Sequence, residues 1–216
     1  MSPLNTTVHA YCYWLRLGAA MLLFTGGLAL HHLPSLQSLF ALPSVLALIV
    51  LHRDVARIFA RGLLHERVWR QLGLGLVLGT ALGALTCVSY PWLAARITPL
   101  GPEVQRLYDL LEHMVSPSSY IGWLSLILVV GVEELLWREL LLVPLRERFA
   151  AHWALLLAAL SYTLPQVALG SWLLAFVAFA LGLVWGALRL GTGSLWVSLA
   201  CHLGWNVFVF FLFPLA

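Results

Sequence analysis

The residues most suited to chemistry in this 216-residue chain are charged side chains in an apolar stretch, residues 131–139. Ionisable groups are costly inside a bilayer, so they mark paired or functional positions. Glu134 and Arg138 are spaced i, i+4, which predicts an intrahelical ion pair. Glu133 lies about 100° around the helix from Glu134. We therefore predict that Glu133 is an unpaired carboxylate near the membrane centre, suited to act as a general base. Glu139 is expected to reach the interface.

Two other segments carry polar side chains at helical spacing. His202 and Asn206 share one helix face, and so do Tyr162 and Gln166. Such pairs commonly form interhelical hydrogen bonds in membranes. Opposite a buried carboxylate they would instead suit water activation and oxyanion stabilisation. At a rise of 1.5 Å per residue, Glu133 and His202 are expected at similar depths, roughly 12–15 Å from the cytoplasmic ends of their helices, with Gln166 deeper.

Small residues and a proline are expected to shape the helices that carry these groups. The pair Gly182 and Gly186 follows Phe179 at a spacing typical of close helix packing. Gly204 is expected to admit a neighbouring backbone. Pro165 removes a backbone donor, which predicts a kink beside Gln166.

The composition requires a membrane environment for these helices. The chain is 62% hydrophobic and 10% charged, against about 25% charged in globular proteins, and its mean hydropathy is +0.93. This excludes soluble enzymes and nucleic-acid binders. All twelve basic residues are arginines, and the net charge of +3 is attributed to membrane orientation. The cysteines Cys12, Cys87 and Cys201 are too widely spaced to indicate a disulfide or metal framework.

The predicted fold is an all-α, multi-pass transmembrane bundle. Because a span needs about 20 mainly apolar residues, we predict about seven spans, at 11–30, 34–51, 72–95, 120–143, 152–169, 171–190 and 194–213.

Residues 52–70 are predicted to form an amphipathic interfacial helix rather than a span. Arg53, Arg57 and Arg61 recur every four residues beside apolar side chains, a pattern typical of helices on an anionic leaflet; a solvated basic loop is the alternative. Either form marks the segment as cytoplasmic. The N-terminus is then cytoplasmic and the C-terminus extracytoplasmic, and the 96–119 loop is extracytoplasmic with a short surface helix after Pro102.

Taken in order, four elements of the sequence resemble a known family. They are Glu133-Glu134-xxx-Arg138, Tyr162-xxx-Gln166, Phe179-xx-Gly182-xxx-Gly186 and His202-xxx-Asn206. This set resembles the glutamic intramembrane proteases of the CAAX prenyl protease and bacteriocin-processing (CPBP or Abi) family. The resemblance implies a four-helix catalytic core at 120–216, with N-terminal spans and the basic helix at 1–119.

The resemblance also implies a role for each matching residue. Glu133 would be the catalytic carboxylate that activates water, with Glu134 and Arg138 as the supporting ion pair. His202 and Asn206 would position water and stabilise the oxyanion.

The sequence departs from the family at the second motif. The family usually has Phe-xxx-His where this chain has Tyr162-xxx-Gln166. Glutamine accepts no proton at neutral pH, although it can orient water or donate to an oxyanion. The chain is then either an active variant or a degenerate member retained for bacteriocin immunity or as a membrane scaffold.

Other chemistries are weaker alternatives. Cys201 adjoins His202, but consecutive helix residues point in different directions, which disfavours a thiol nucleophile. The sequence contains no His-Glu-xx-His motif, which would indicate a zinc site, and no metal or other cofactor is expected. A proton-coupled transporter is disfavoured by the lack of paired broken helices in two halves.

The expected partners are the lipid bilayer and a membrane-anchored or exported peptide or protein substrate. Leader peptides, sorting tails, regulatory membrane proteins and prenylated C-termini all remain open, as does the oligomeric state. We favour a peptide or sorting-tail substrate in a prokaryotic plasma membrane.

Overall fold

Helices form all of the regular secondary structure in the part of the chain that the computed structural model describes, which is residues 3–29, 42–60, 67–114 and 120–215. This confirms the all-α prediction. The helices are α1 (Pro3–Ala29), α2 (Leu42–Val50), α3 (His52–Ala60), α4 (Val68–Ala94), α5 (Leu100–Met114), α6 (Tyr120–Glu133), α7 (Val143–Arg148), α8 (Ala151–Ala168), α9 (Trp172–Thr192) and α10 (Leu195–Val207). Glu134–Leu142 forms a π-helix between α6 and α7, and Phe208–Leu212 extends α10 as another.

Four helical segments are long and apolar enough to cross a bilayer: Tyr11–Ala29, Val68–Ala94, Trp172–Thr192 and Leu195–Leu212. They coincide with four of the seven predicted spans and indicate an integral membrane protein. The remaining three spans are not confirmed. Part of 34–51 lies outside the described residues, and 120–143 and 152–169 are helical but do not reach that length and apolarity. The segment 120–143 is less apolar because it contains four charged residues at its centre and end, and 152–169 is less apolar because α8 contains polar side chains.

The predicted basic helix is present as α3, and it is anchored by an acidic residue. Asp54 is 4% exposed. It lies 2.9 Å from Arg57 Nη2 and 3.2 Å from Arg16 Nη2 of α1. Arg61 falls outside the described residues, and Arg70 belongs to α4. In the part of the chain that the structure describes, this helix ends at Ala60, and the ion pair of Asp54 with Arg16 ties it to α1.

Helix α4 packs closely against α10 because glycines face that helix. A Cβ atom added to Gly75 or Gly79 would overlap atoms of α10, and at Gly79 the overlap is with the backbone carbonyl of Cys201. A Cβ atom added to Gly83 would overlap the side chain of Phe208, at the start of the π-helix that extends α10. On the opposing side, a Cβ atom on Gly204 would lie 3.4 Å from the backbone of α4. The close approach expected at Gly204 is thus confirmed, with α4 as the neighbour. This N-terminal helix positions the segment that carries His202.

Small residues also bring α8 and α9 together. A Cβ atom on Gly182 would lie 3.2 Å from the Tyr162 ring, and one on Gly186 would overlap Leu155. The predicted packing role of these glycines is confirmed. The contact places the α9 backbone beside Tyr162.

Helix α5 covers the end of the bundle, where the sequence predicted a surface helix. The Tyr108 hydroxyl donates to the carbonyl of Val209 at 2.6 Å and accepts from the Leu215 amide at 3.0 Å. Burial raises the pKa of Tyr108, so the phenol stays neutral and able to donate. Ser171 Oγ donates to Glu103 at 2.6 Å and ties the other end of α5 to the start of α9.

We expect Gly79→Ala to destabilise the protein by about 1–3 kcal/mol, because the new methyl group would force α4 and α10 apart. The matched control is Gly73→Ala on the same helix, where a Cβ atom meets nothing within 4 Å. Alanine favours a helix over glycine by about 1 kcal/mol, so the control should be neutral or stabilising. Thermal unfolding in detergent measures both; equal effects would contradict the close packing.

Candidate active site

Glu133 and Glu134 lie at the junction between an α-helix and a π-helix. Glu133 ends α6, and Glu134 begins the π-helix that runs to Leu142. π-Helical turns within α-helices are rare and frequent at functional sites. Glu133, Glu134 and Arg138 are all buried, at 5%, 0% and 2% exposure. Burial on this scale requires each charge to find a partner.

Both oxygens of Glu133 accept hydrogen bonds from α8. The Tyr162 hydroxyl donates to Oε2 at 3.1 Å, and Gln166 Nε2 donates to Oε1 at 3.2 Å. His202 Nε2 lies 3.8 Å from Oε2. Glu133 is therefore not without partners, which corrects the expectation of an unpaired carboxylate. Its closest partners are neutral donors, so they orient the carboxylate without adding a full positive charge.

Glu134 is held by three groups. Arg138 Nε lies 3.4 Å from Oε1, as the i, i+4 spacing predicts. His202 Nδ1 lies 2.9 Å from the same oxygen, and Ser198 Oγ donates to Oε2. The sequence predicts His202 opposite Glu133 alone and gives Ser198 no role in the site. Ser198 lies one turn before His202 on the same helix face, and that spacing is the signal that would have identified it.

The imidazole of His202 is held in a defined orientation. Because Nδ1 faces the Glu134 carboxylate, it carries the ring proton, which leaves Nε2 directed toward Glu133. The indole of Trp185 stacks on the imidazole with ring centroids 3.5 Å apart and an interplanar angle of 20°. Carboxylate and indole together fix the ring.

Arg138 extends this arrangement to α8. Its guanidinium carbon lies 4.2 Å from the centroid of the Tyr162 ring and 5.4 Å from that of Trp185. Cation–π contacts are strongest where water is excluded. Within the described ranges, Nη1 and Nη2 have no hydrogen-bond partner. Arg138 therefore contacts both Glu134 and the tyrosine that donates to Glu133.

A cavity of about 340 Å³ brings the predicted catalytic residues together. Glu133, Gln166, His202 and Asn206 all line it, with Tyr162 beside them. Asn206 is buried, and in the described part of the chain its carboxamide makes no hydrogen bond.

Several residues close to the site do not line the cavity. Glu134 and Arg138 lie behind the wall rather than in it. Cys201 is buried but does not line the cavity, so the geometry gives no support to a thiol nucleophile. Glu139 lies 2.8 Å from Arg189 Nη2 of α9, an ion pair that helical spacing within one segment does not predict.

The fold and the site define an integral membrane protein with a carboxylate, an imidazole and two carboxamides around one cavity. Residues 116–208 match the model of a family described as Type II CAAX prenyl endopeptidase Rce1-like. This part of the chain is therefore similar to the CAAX prenyl protease and bacteriocin-processing family, to which the four motifs also point. The family is a protease family, so the match supports peptidase activity at the family level. No curated protein and no solved structure matches the chain.

We expect Glu134→Gln to lower the free energy of unfolding by about 3–5 kcal/mol, because Arg138 would keep its charge in a buried site without a counter-ion. Glu139→Gln is the matched control, since the Glu139–Arg189 pair is partly exposed, at 20% and 13%. Its loss should be about 1 kcal/mol or less. Thermal unfolding in detergent separates the two; similar losses would refute the central role of Glu134 in stability.

Proposed function

We propose that this protein is an intramembrane endopeptidase that hydrolyses a peptide bond with a water molecule activated by Glu133. The observation that carries the proposal is the cavity in which Glu133, His202, Asn206 and Gln166 converge. A carboxylate oriented by neutral donors remains able to take a proton from water. The family match supports the reaction class.

The proposed reaction needs no covalent intermediate. Glu133 takes a proton from water, the resulting hydroxide attacks the peptide carbonyl carbon, and the carbonyl oxygen becomes an oxyanion. When the tetrahedral intermediate collapses, the C–N bond breaks and Glu133 returns its proton to the leaving amine. The Asn206 carboxamide lies at the cavity wall and makes no hydrogen bond to the described residues; it is proposed to donate to the oxyanion.

His202 is proposed to position the attacking water. Its Nδ1 proton is engaged by Glu134, so Nε2 is available to accept a hydrogen bond on the side of Glu133. In its protonated form the same nitrogen would donate to the oxyanion. Glu134, Arg138 and Tyr162 act through these groups rather than on the substrate.

Gln166 is proposed to replace the usual histidine as an orienting group. Its amide donates to Glu133 Oε1 at 3.2 Å, and this contact requires no proton acceptance by the side chain. The contact favours an active enzyme over a degenerate member that serves immunity or scaffolding. A cleavage assay separates these two functions.

The proposed location is a prokaryotic plasma membrane, with the N-terminus cytoplasmic and the C-terminus extracytoplasmic. The charge distribution supports this orientation, because α3 and the segments next to it are rich in arginine. The substrate is then a membrane-anchored or exported peptide or protein.

Glu133→Gln should abolish cleavage and leave the fold intact, because the amide preserves the side-chain shape but cannot take a proton. Comparative proteomics of membrane-protein termini, in cells with the wild-type protein and cells with the variant, measures the loss. Thermal unfolding controls for the fold. Identical sets of termini would remove the glutamic mechanism.

Gln166→His should keep or raise the cleavage rate, because an imidazole can also orient Glu133 and can additionally accept a proton. The measurement is the rate of formation of a terminus that disappears in the Glu133→Gln cells. A complete loss of activity would show that the amide itself is required.

A further inference from the structure

Beyond its polar group, the wall of the cavity is hydrocarbon and aromatic. Helices α5, α6, α9 and α10 and the π-helix after α10 contribute to this surface. The lining residues include Leu107 of α5, Leu126 and Val129 of α6, Leu174 and Val177 of α9, Trp205 of α10 and Phe210 of the π-helix. Surfaces of this kind bind apolar groups and supply no partner for a charge.

Ionisable groups at the wall are confined to the catalytic cluster and the phenols. Among the described lining residues, only Glu133 and His202 carry a carboxyl or an imidazole group, and none is an arginine. Arg138 lies behind the wall, in contact with Glu134. A substrate carboxylate would therefore enter an apolar space next to Glu133, and no arginine among the described lining residues could neutralise it. A substrate ammonium group would pair with Glu133 and oppose its action as a base.

The volume of about 340 Å³ lies at the low end of ligand cavities, which span about 300–1,000 Å³. It has room for a short stretch of extended chain, whereas an intact helix is about 10–12 Å wide with its side chains. A helical substrate must therefore unwind locally to reach Glu133.

We propose that this cavity binds an internal, uncharged and apolar stretch of peptide, and that it recognises neither a free C-terminal carboxylate nor a charged side chain beside the scissile bond. This inference rests on the proposed function and selects among its substrates. It favours apolar segments of membrane proteins or apolar regions of leader and sorting peptides over short C-terminal tails.

Val177 is assigned as a residue that limits the size of the bound side chains. It is partly buried on α9 and lines the cavity. Phenylalanine at this position would occupy space that the substrate needs. Val184 lies on the same helix, is 39% exposed and does not line the cavity, so Val184→Phe is the matched control.

The test uses the full-length protein in lipid nanodiscs and a synthetic peptide with an uncharged apolar segment of about 20 residues, blocked as a C-terminal amide. Mass spectrometry maps the bond that the wild type cleaves. The peptide is then remade with Leu, Ala, Asp or Lys beside that bond, and in a shortened form that ends in a free carboxylate there.

Binding is measured separately from cleavage, by competition of each peptide with a labelled parent for the Glu133→Gln variant. Because the Glu133→Gln variant lacks the charge of Glu133, the difference in affinity between peptides reports the cost of placing a substrate charge in the cavity. If the wild type cleaves no peptide, the same substitutions are made at the centre of the apolar segment and the binding comparison proceeds unchanged.

We expect the Asp, Lys and free-carboxylate forms to bind at least tenfold more weakly than the Leu form, equivalent to about 1.4 kcal/mol or more. Val177→Phe, added to Glu133→Gln, should weaken binding of the Leu form more than that of the Ala form, while Val184→Phe changes neither. Equal binding of charged and Leu forms, or equal effects of the two phenylalanine variants, would overturn the inference. The expected binding order without cleavage by the wild type would instead refute only the proposed function.

Discussion

The buried negative charge of Glu134 is the constraint that organises the site. A carboxylate with no exposure to solvent must be neutralised by its neighbours. Arg138 provides the charge, and His202 and Ser198 provide further hydrogen bonds. Since the last two groups belong to α10, the need to satisfy one carboxylate ties the π-helical turn to another helix.

The same constraint acts indirectly on the cavity that Glu133 lines. Arg138 contacts the Tyr162 ring, whose hydroxyl donates to Glu133, and Glu134 sets the orientation of the His202 ring. Adjacent glutamates thus have different surroundings: one is enclosed by its partners behind the wall, and the other lines the cavity. This division separates structural support from the proposed proton transfer.

The N-terminal region contributes to the site although it carries none of the recognised motifs. Glycines of α4 allow that helix to lie directly against the backbone of α10, and the Trp205 indole donates to Thr86 of α4 at 3.1 Å. On the other side, Tyr108 of α5 binds the end of α10. The position of His202 and Asn206 therefore depends on residues far away in sequence.

The sequence by itself determined the membrane environment, the helical fold and five of the polar residues that line the cavity, which are Glu133, Tyr162, Gln166, His202 and Asn206. These properties follow from composition and from i, i+4 spacing, which are local. Tertiary structure alone decided that His202 binds Glu134, that Gln166 and Tyr162 bind Glu133, and that Ser198 joins them. Such contacts depend on the rotation and depth of separate helices. Periodicity within one helix carries no information about these quantities, because they are set by packing between helices, including the close contact of α4 with α10.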